Sequence, residues 1–262
     1  MKVFIKQRDV ASNSCRQDHI SNSSIPEHNQ PVSGKAHKQR NVASNKIKKL
    51  KDAIIDTFFP VRCPYCNRVI DKDDYACQDC KKRFPRNSTT KYAFGNYICS
   101  APFYYEGIFS KAVKTFKFDN CGSYAKQLSF MIVQSVLEIH EEINFDIITC
   151  VPMHKDDRKK RGYNQAELLA RECAKIMNIP YIDTLEKHKK NKVQHSIKAK
   201  ERAKNVRGVY RLIQKDIVKD KNILIIDDII TTGPTLGECA KVLSKGKCKS
   251  IRCAVVCSVI FS

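Results

Sequence analysis

Apolar and polar residues alternate with three different periods along this chain. Ile223-Leu224-Ile225-Ile226 is an unbroken apolar run, the pattern of a strand buried on both faces. Asp227 and Asp228 follow where such a strand emerges, then Ile229-Ile230 and the turn Thr231-Thr232-Gly233-Pro234-Thr235. A helix is predicted next, with Pro234 in its first turn, where proline is tolerated. Residues 145–151 read as a second apolar strand. It leads into a basic loop, 152–165, and a helix over 166–177. Residues 97–105 alternate as a strand. A short helix over 107–118 places Lys111, Lys114 and Lys117 on one face. Residues 123–142 form a longer amphipathic helix, 209–212 a short strand and 251–260 a last strand. The stretch 181–192 fits either type.

The chain ahead of these elements is different. Residues 46–59 carry apolar positions at helical spacing and are stopped by Pro60. Residues 1–45 show no apolar period and read as a disordered basic tail. Three regions follow: the tail, a helix plus cysteine module over 46–95, and an α/β domain over 96–262. The order strand, basic loop, helix, strand, acidic pair, turn, helix, strand implies a mainly parallel sheet.

The chain has 262 residues and a formal charge of +21, which attracts polyanions: nucleic acid, or a substrate rich in phosphate. No apolar run approaches the length of a membrane span, and the first residues lack the apolar core of a secretory signal. Both point to the cytoplasm and to no membrane insertion. Thirteen cysteines in a reducing compartment are thiols or metal ligands. Four have diagnostic spacing: Cys63-x-x-Cys66, ten residues, then Cys77-x-x-Cys80. Two such knuckles offer four soft thiolates for a closed tetrahedral zinc, whose role is then structural.

The turn after the acidic pair has the chemistry of a phosphate site. Thr231, Thr232 and Thr235 offer hydroxyls, Gly233 lets backbone approach, and a helix N-terminus follows. Asp227 and Asp228 would repel phosphate. As ionised carboxylates they only accept hydrogen bonds, which suits the two hydroxyls of a ribose. In the basic loop, Lys155, Arg158 and Arg161 are the candidates for a second anion. Residues 198–207 form a further basic segment with the character of a flap.

The thirteen residues 223–235 resemble the phosphoribosyl-diphosphate (PRPP) motif of type I phosphoribosyltransferases. Together with the paired CxxC knuckles, the run Arg161-Gly162-Tyr163-Asn164-Gln165, and the run Gln194 … Arg202 … Asn205-Val206 … Gly208, they resemble the ComF (ComFC-type) competence family. That resemblance implies a type I phosphoribosyltransferase-like sheet with a small N-terminal zinc-binding module of four cysteines. It also implies PRPP binding, with Asp227 and Asp228 on the ribose and Thr231, Thr232, Gly233 and Thr235 on the 5′-phosphate. Zinc falls to Cys63, Cys66, Cys77 and Cys80, and Mg²⁺ travels with the diphosphate. A role in DNA uptake and natural transformation follows. Two readings stay open. One is phosphoribosyl transfer to an unknown acceptor, with Asp227, Asp228, Lys155, Arg158 and Arg161 as the catalytic group. The other is a non-catalytic PRPP- or nucleotide-sensing protein that binds single-stranded DNA or a competence helicase. The residues alone reveal neither a general base nor a pocket for a base.

Overall fold

The computed structural model of the chain describes residues 60–93, 96–118, 122–140, 142–190 and 204–260. The tail 1–45, the helix over 46–59 and most of the basic segment 198–207 lie outside the described residues. In chain order the elements are α1 (Gln78–Lys81), β1 (Thr89–Ala93), β2 (Tyr97–Ala101), β3 (Phe103–Tyr104), α2 (Gly107–Phe118), α3 (Ala125–Ile139), β4 (Ile147–Cys150) and α4 (Lys155–Arg161). There follow α5 (Gln165–Met177), β5 (Leu185–Lys187), β6 (Tyr210–Leu212), α6 (Lys215–Val218), β7 (Asn222–Ile230), α7 (Pro234–Ser244) and β8 (Ser250–Ser258).

The main sheet runs β1-β2-β8-β7-β4, with β3 also paired to β8. Only the β1–β2 pair is antiparallel; β2–β8, β3–β8, β7–β8 and β4–β7 are all parallel. The expected mainly parallel α/β sheet is what forms. Ile223–Ile226 lie fully buried within it, with the buried Cys253 and Ala254 of β8 opposite Ile225 and Ile226. Small, apolar side chains there let helices close on both faces.

The direction in which strands are added across the sheet reverses between β4 and β7. From β4 the chain passes through α5 and adds residue Tyr181 beside Ile148, outside β4. From β7 it passes through α7 to β8 on the other side. Right-handed crossovers therefore set α5 and α7 on opposite faces, and a crevice opens between the ends of β4 and β7. Residues 147–150 of β4 pair with 223–226 of β7 and stop there, whereas β7 pairs with β8 as far as Ile230.

Three expectations change. The strand over 97–105 breaks into β2 and β3 at Pro102, which cannot donate to the ladder. The acidic pair lies inside β7, which runs on to Ile230. The basic loop contains a helix, α4. His154 Nδ1 accepts from the Asp156 N–H at 3.3 Å at its start, and Gly162, at φ 79°, ends it. Asp156 and Asp157 occupy its first turn and four cations its end, matching the helix dipole.

The cysteine module sits on this sheet through aromatic rings. Tyr65, between the first two cysteines, is buried and meets Phe84 and Phe103 edge-on at 5.0 and 5.8 Å. Phe103 stacks on Phe109 of α2 at 4.1 Å, and Tyr75 stacks on Phe130 of α3 at 4.6 Å. The Tyr124 hydroxyl donates to Asn67 Oδ1 at 3.2 Å.

Candidate functional site

The crevice between β4 and β7 holds a cavity of about 810 Å³, within the range that takes a small ligand. Because β7 continues past the end of β4, Asp227 and Asp228 both line it, although successive strand residues point to opposite faces. Thr231, Gly233 and Thr235 line the same cavity at the start of α7. Gly233 holds φ at 87°, a conformation that a side chain would strain, and its carbonyl accepts from Gly237 N–H at 2.9 Å. Pro234 follows at the first helical position. Thr232 is placed differently. It is not part of the lining, and its buried hydroxyl oxygen has no hydrogen-bond partner among the described residues.

The candidate cations separate. On α4, Asp157, Lys160 and Arg161 face the cavity. That is the i, i+3, i+4 face of a helix, so Lys155 and Arg158 lie off it. Lys155 is exposed, and Arg158 is bound to Glu167 on α5 at 3.1 Å. Arg161 also stands over the Phe118 ring, 5.6 Å from its centroid. Phe118 lines the cavity while remaining 59 % exposed. Lys187 and Lys190, from the small β5–β6 sheet and the residues after it, complete the basic wall. Sequence period carried no sign of them, since 181–192 fits either type.

Asp228 forms an ion pair with Lys117 of α2, Nζ to Oδ2 2.9 Å. Both side chains are largely buried, 21 % and 12 % exposed for Lys117 and Asp228. Burial works against a charged lysine, but Asp228 and then Asp227 more than offset it and hold the Lys117 ammonium above its ordinary range. Asp227 goes the other way for a carboxylate. Burial, and then the Asp228 charge, raise its carboxyl, against a smaller opposing pull from Lys117. Of the lysine stripe on α2, Lys114 and Lys117 line the cavity, and Lys111 does not.

The run 161–165 positions this wall. Tyr163 Oη donates to the Phe116 carbonyl at 2.8 Å, and Gln165 Nε2 donates to the Lys117 carbonyl at 3.1 Å. Asn164 donates through Nδ2 to the Val151 carbonyl at 3.1 Å and accepts the Ala166 N–H at 3.2 Å, capping α5. The motif therefore ties the end of α2, the end of β4 and the start of α5 together.

At the cysteine module, the ligand atoms of Cys63, Cys66, Cys77 and Cys80 lie within 4.8 Å of one another. A tetrahedral zinc with Zn–S bonds of about 2.3 Å sets sulfurs roughly 3.8 Å apart. Three of the four are buried, Cys66 being the exposed one. The set fits a closed, structural zinc.

Comparison with known proteins agrees with both parts. The phosphoribosyl transferase domain family matches residues 135–260, and the double zinc ribbon domain family matches residues 54–93. Fold and site thus define a phosphoribosyltransferase-fold protein with an N-terminal zinc ribbon. Among named relatives the chain is similar to competence protein F of Haemophilus influenzae, 28 % identical over 70 % of this chain and 78 % of that one. Competence protein ComFC of Bacillus subtilis is 25 % identical over 72 % of this chain and 74 % of its own. DNA utilization protein YhgH of Escherichia coli is 22 % identical over 76 % and 84 %. The chain is similar to these competence and DNA-utilization proteins, as its motifs implied.

Proposed function

We propose that the crevice binds PRPP and that the protein acts in DNA uptake and natural transformation, transferring phosphoribosyl to an acceptor. One observation carries the ligand: the acidic pair and the Gly233–Pro234 helix start open into the same cavity as a wall of cations. Ribose hydroxyls would donate to Asp227 and Asp228, and the 5′-phosphate would take the N-terminus of α7 with Thr231 and Thr235. The diphosphate would face the basic wall. Asp157, Asp227 and Asp228 are the cavity's carboxylates among the described residues, the hard oxygens on which a diphosphate-borne Mg²⁺ would rest. Mg²⁺ would supply charge neutralisation on the leaving group. The side chains themselves orient the sugar and shield its anomeric carbon from water as positive charge builds there. The role in transformation is supported by the names of the relatives, and the thiol-rich composition suits a reducing cytoplasm.

A second reading has its own support. Phe118 is an exposed ring beside Arg161 at the cavity mouth, a pairing on which a nucleotide base can stack. It favours a non-catalytic, PRPP-sensing protein that holds single-stranded DNA or a helicase partner. Incubation of the full chain with PRPP, Mg²⁺ and a panel of bases, reading diphosphate release, separates the two. Release with one base supports transfer. PRPP binding without turnover, with DNA affinity that falls steeply with salt, supports the sensor. No PRPP binding at all overturns both.

A further inference from the structure

Resting on the reading that the crevice takes PRPP, we propose that Lys117 is the residue that anchors the diphosphate, in place of the motif residues Lys155 and Arg158. Lys117 is a largely buried member of the cavity's basic wall, its side chain 21 % exposed, and its ammonium lies 2.9 Å from Asp228. An ammonium has three donors, and Asp228 occupies one. The carboxylate in turn keeps lone pairs for a sugar hydroxyl. The pair can therefore persist when the diol arrives, leaving the other two N–H groups for a second part of the ligand.

The ligand's covalent structure names that part. The diol lies on C2 and C3 of the ribose, and the diphosphate on C1, one bond from C2. With the 5′-phosphate on α7, a cation bonded to the carboxylate that holds the diol stands beside the diphosphate. The end of α2 is also built to hold this cation. Tyr163 and Gln165 tie down the Phe116 and Lys117 carbonyls, so Lys117 does not swing freely into place. Lys155 is exposed and outside the cavity lining, and Arg158 is engaged with Glu167.

Calorimetry of the full chain with Mg²⁺–PRPP and with ribose 5-phosphate tests this, since the second ligand lacks only the diphosphate. Lys117→Met should weaken PRPP at least ~10-fold, the scale of one charge-assisted contact, and move ribose 5-phosphate less than ~3-fold. Lys117→Arg should recover part of the PRPP affinity. Lys155→Met should leave both ligands unchanged. Lys117→Gln keeps a hydrogen-bond donor for Asp228 and gives the same readout should the Met variant fail to fold. Equal losses for both ligands, or an unaltered PRPP affinity in the Met and Gln variants, would overturn the assignment alone. A wild-type chain that binds neither ligand would overturn the crevice reading and this assignment with it.

Discussion

Tyr163 donates its hydroxyl to the Phe116 carbonyl at 2.8 Å, across 47 residues of chain. The bond joins the loop after α4 to the last turn of α2, whose carbonyls have no helical partner of their own. Tyr163→Phe keeps the ring and removes that donor. We expect a loss of about 1 kcal/mol in stability, read by thermal melting. PRPP affinity should fall several-fold as well, because the same turn carries Lys117. An unchanged affinity with a lowered melting temperature would show that the bond serves the fold alone.

Asp227 makes the stability of the fold depend on pH. Its carboxyl is raised by burial and by Asp228. The folded chain therefore holds this proton more tightly than the unfolded chain does. The resulting stabilisation is complete below the unfolded carboxylate pKa, about 4, and is lost as pH rises through the raised folded value. Asn carries no such proton. Asp227→Asn should thus melt higher than wild type, with a margin that widens as pH rises from the ordinary carboxylate range through neutrality. Melting curves across that range check the sign; a margin that shrinks with pH would refute it.

Zinc removal should reach past the cysteine module. A chelator, or Cys80→Ser, should unfold the module, because a core this small needs its metal. Tyr65 and Tyr75 would then withdraw from Phe103 and Phe130, so the remaining domain should also melt at a lower temperature. Atomic absorption alongside calorimetry tests both steps. A domain transition indifferent to zinc would mean the rings contribute nothing across that boundary.

Gly246 closes the turn after α7. A Cβ there would lie 2.4 Å from Val218 Cγ2 and 3.1 Å from the Leu243 carbonyl. Val218 is fully buried and has little room to move. Gly246→Ala should cost about 1–3 kcal/mol by overpacking, or several degrees of melting temperature, with zinc content unchanged.

The parts of this protein legible in one dimension are those made by a few adjacent residues. A buried strand announces itself as Ile223–Ile226, a zinc knuckle as the spacing of Cys63 and Cys66, and an anion-ready helix start as Gly233-Pro234. Each of these is a local condition on backbone or on spacing, so order along the chain is enough. The cations are another matter. Lys155, Arg158 and Arg161 look alike in a basic stretch, and only the α4 helix turns Arg161 and Lys160 inward while Arg158 meets Glu167. Lys117 is far from Asp228 along the chain and reaches it because α2 ends over the crevice, where Tyr163 and Gln165 hold it. A charge has no period of its own. Which charges face one another is decided by the packing of helices on the sheet, and that packing is a property of the whole chain.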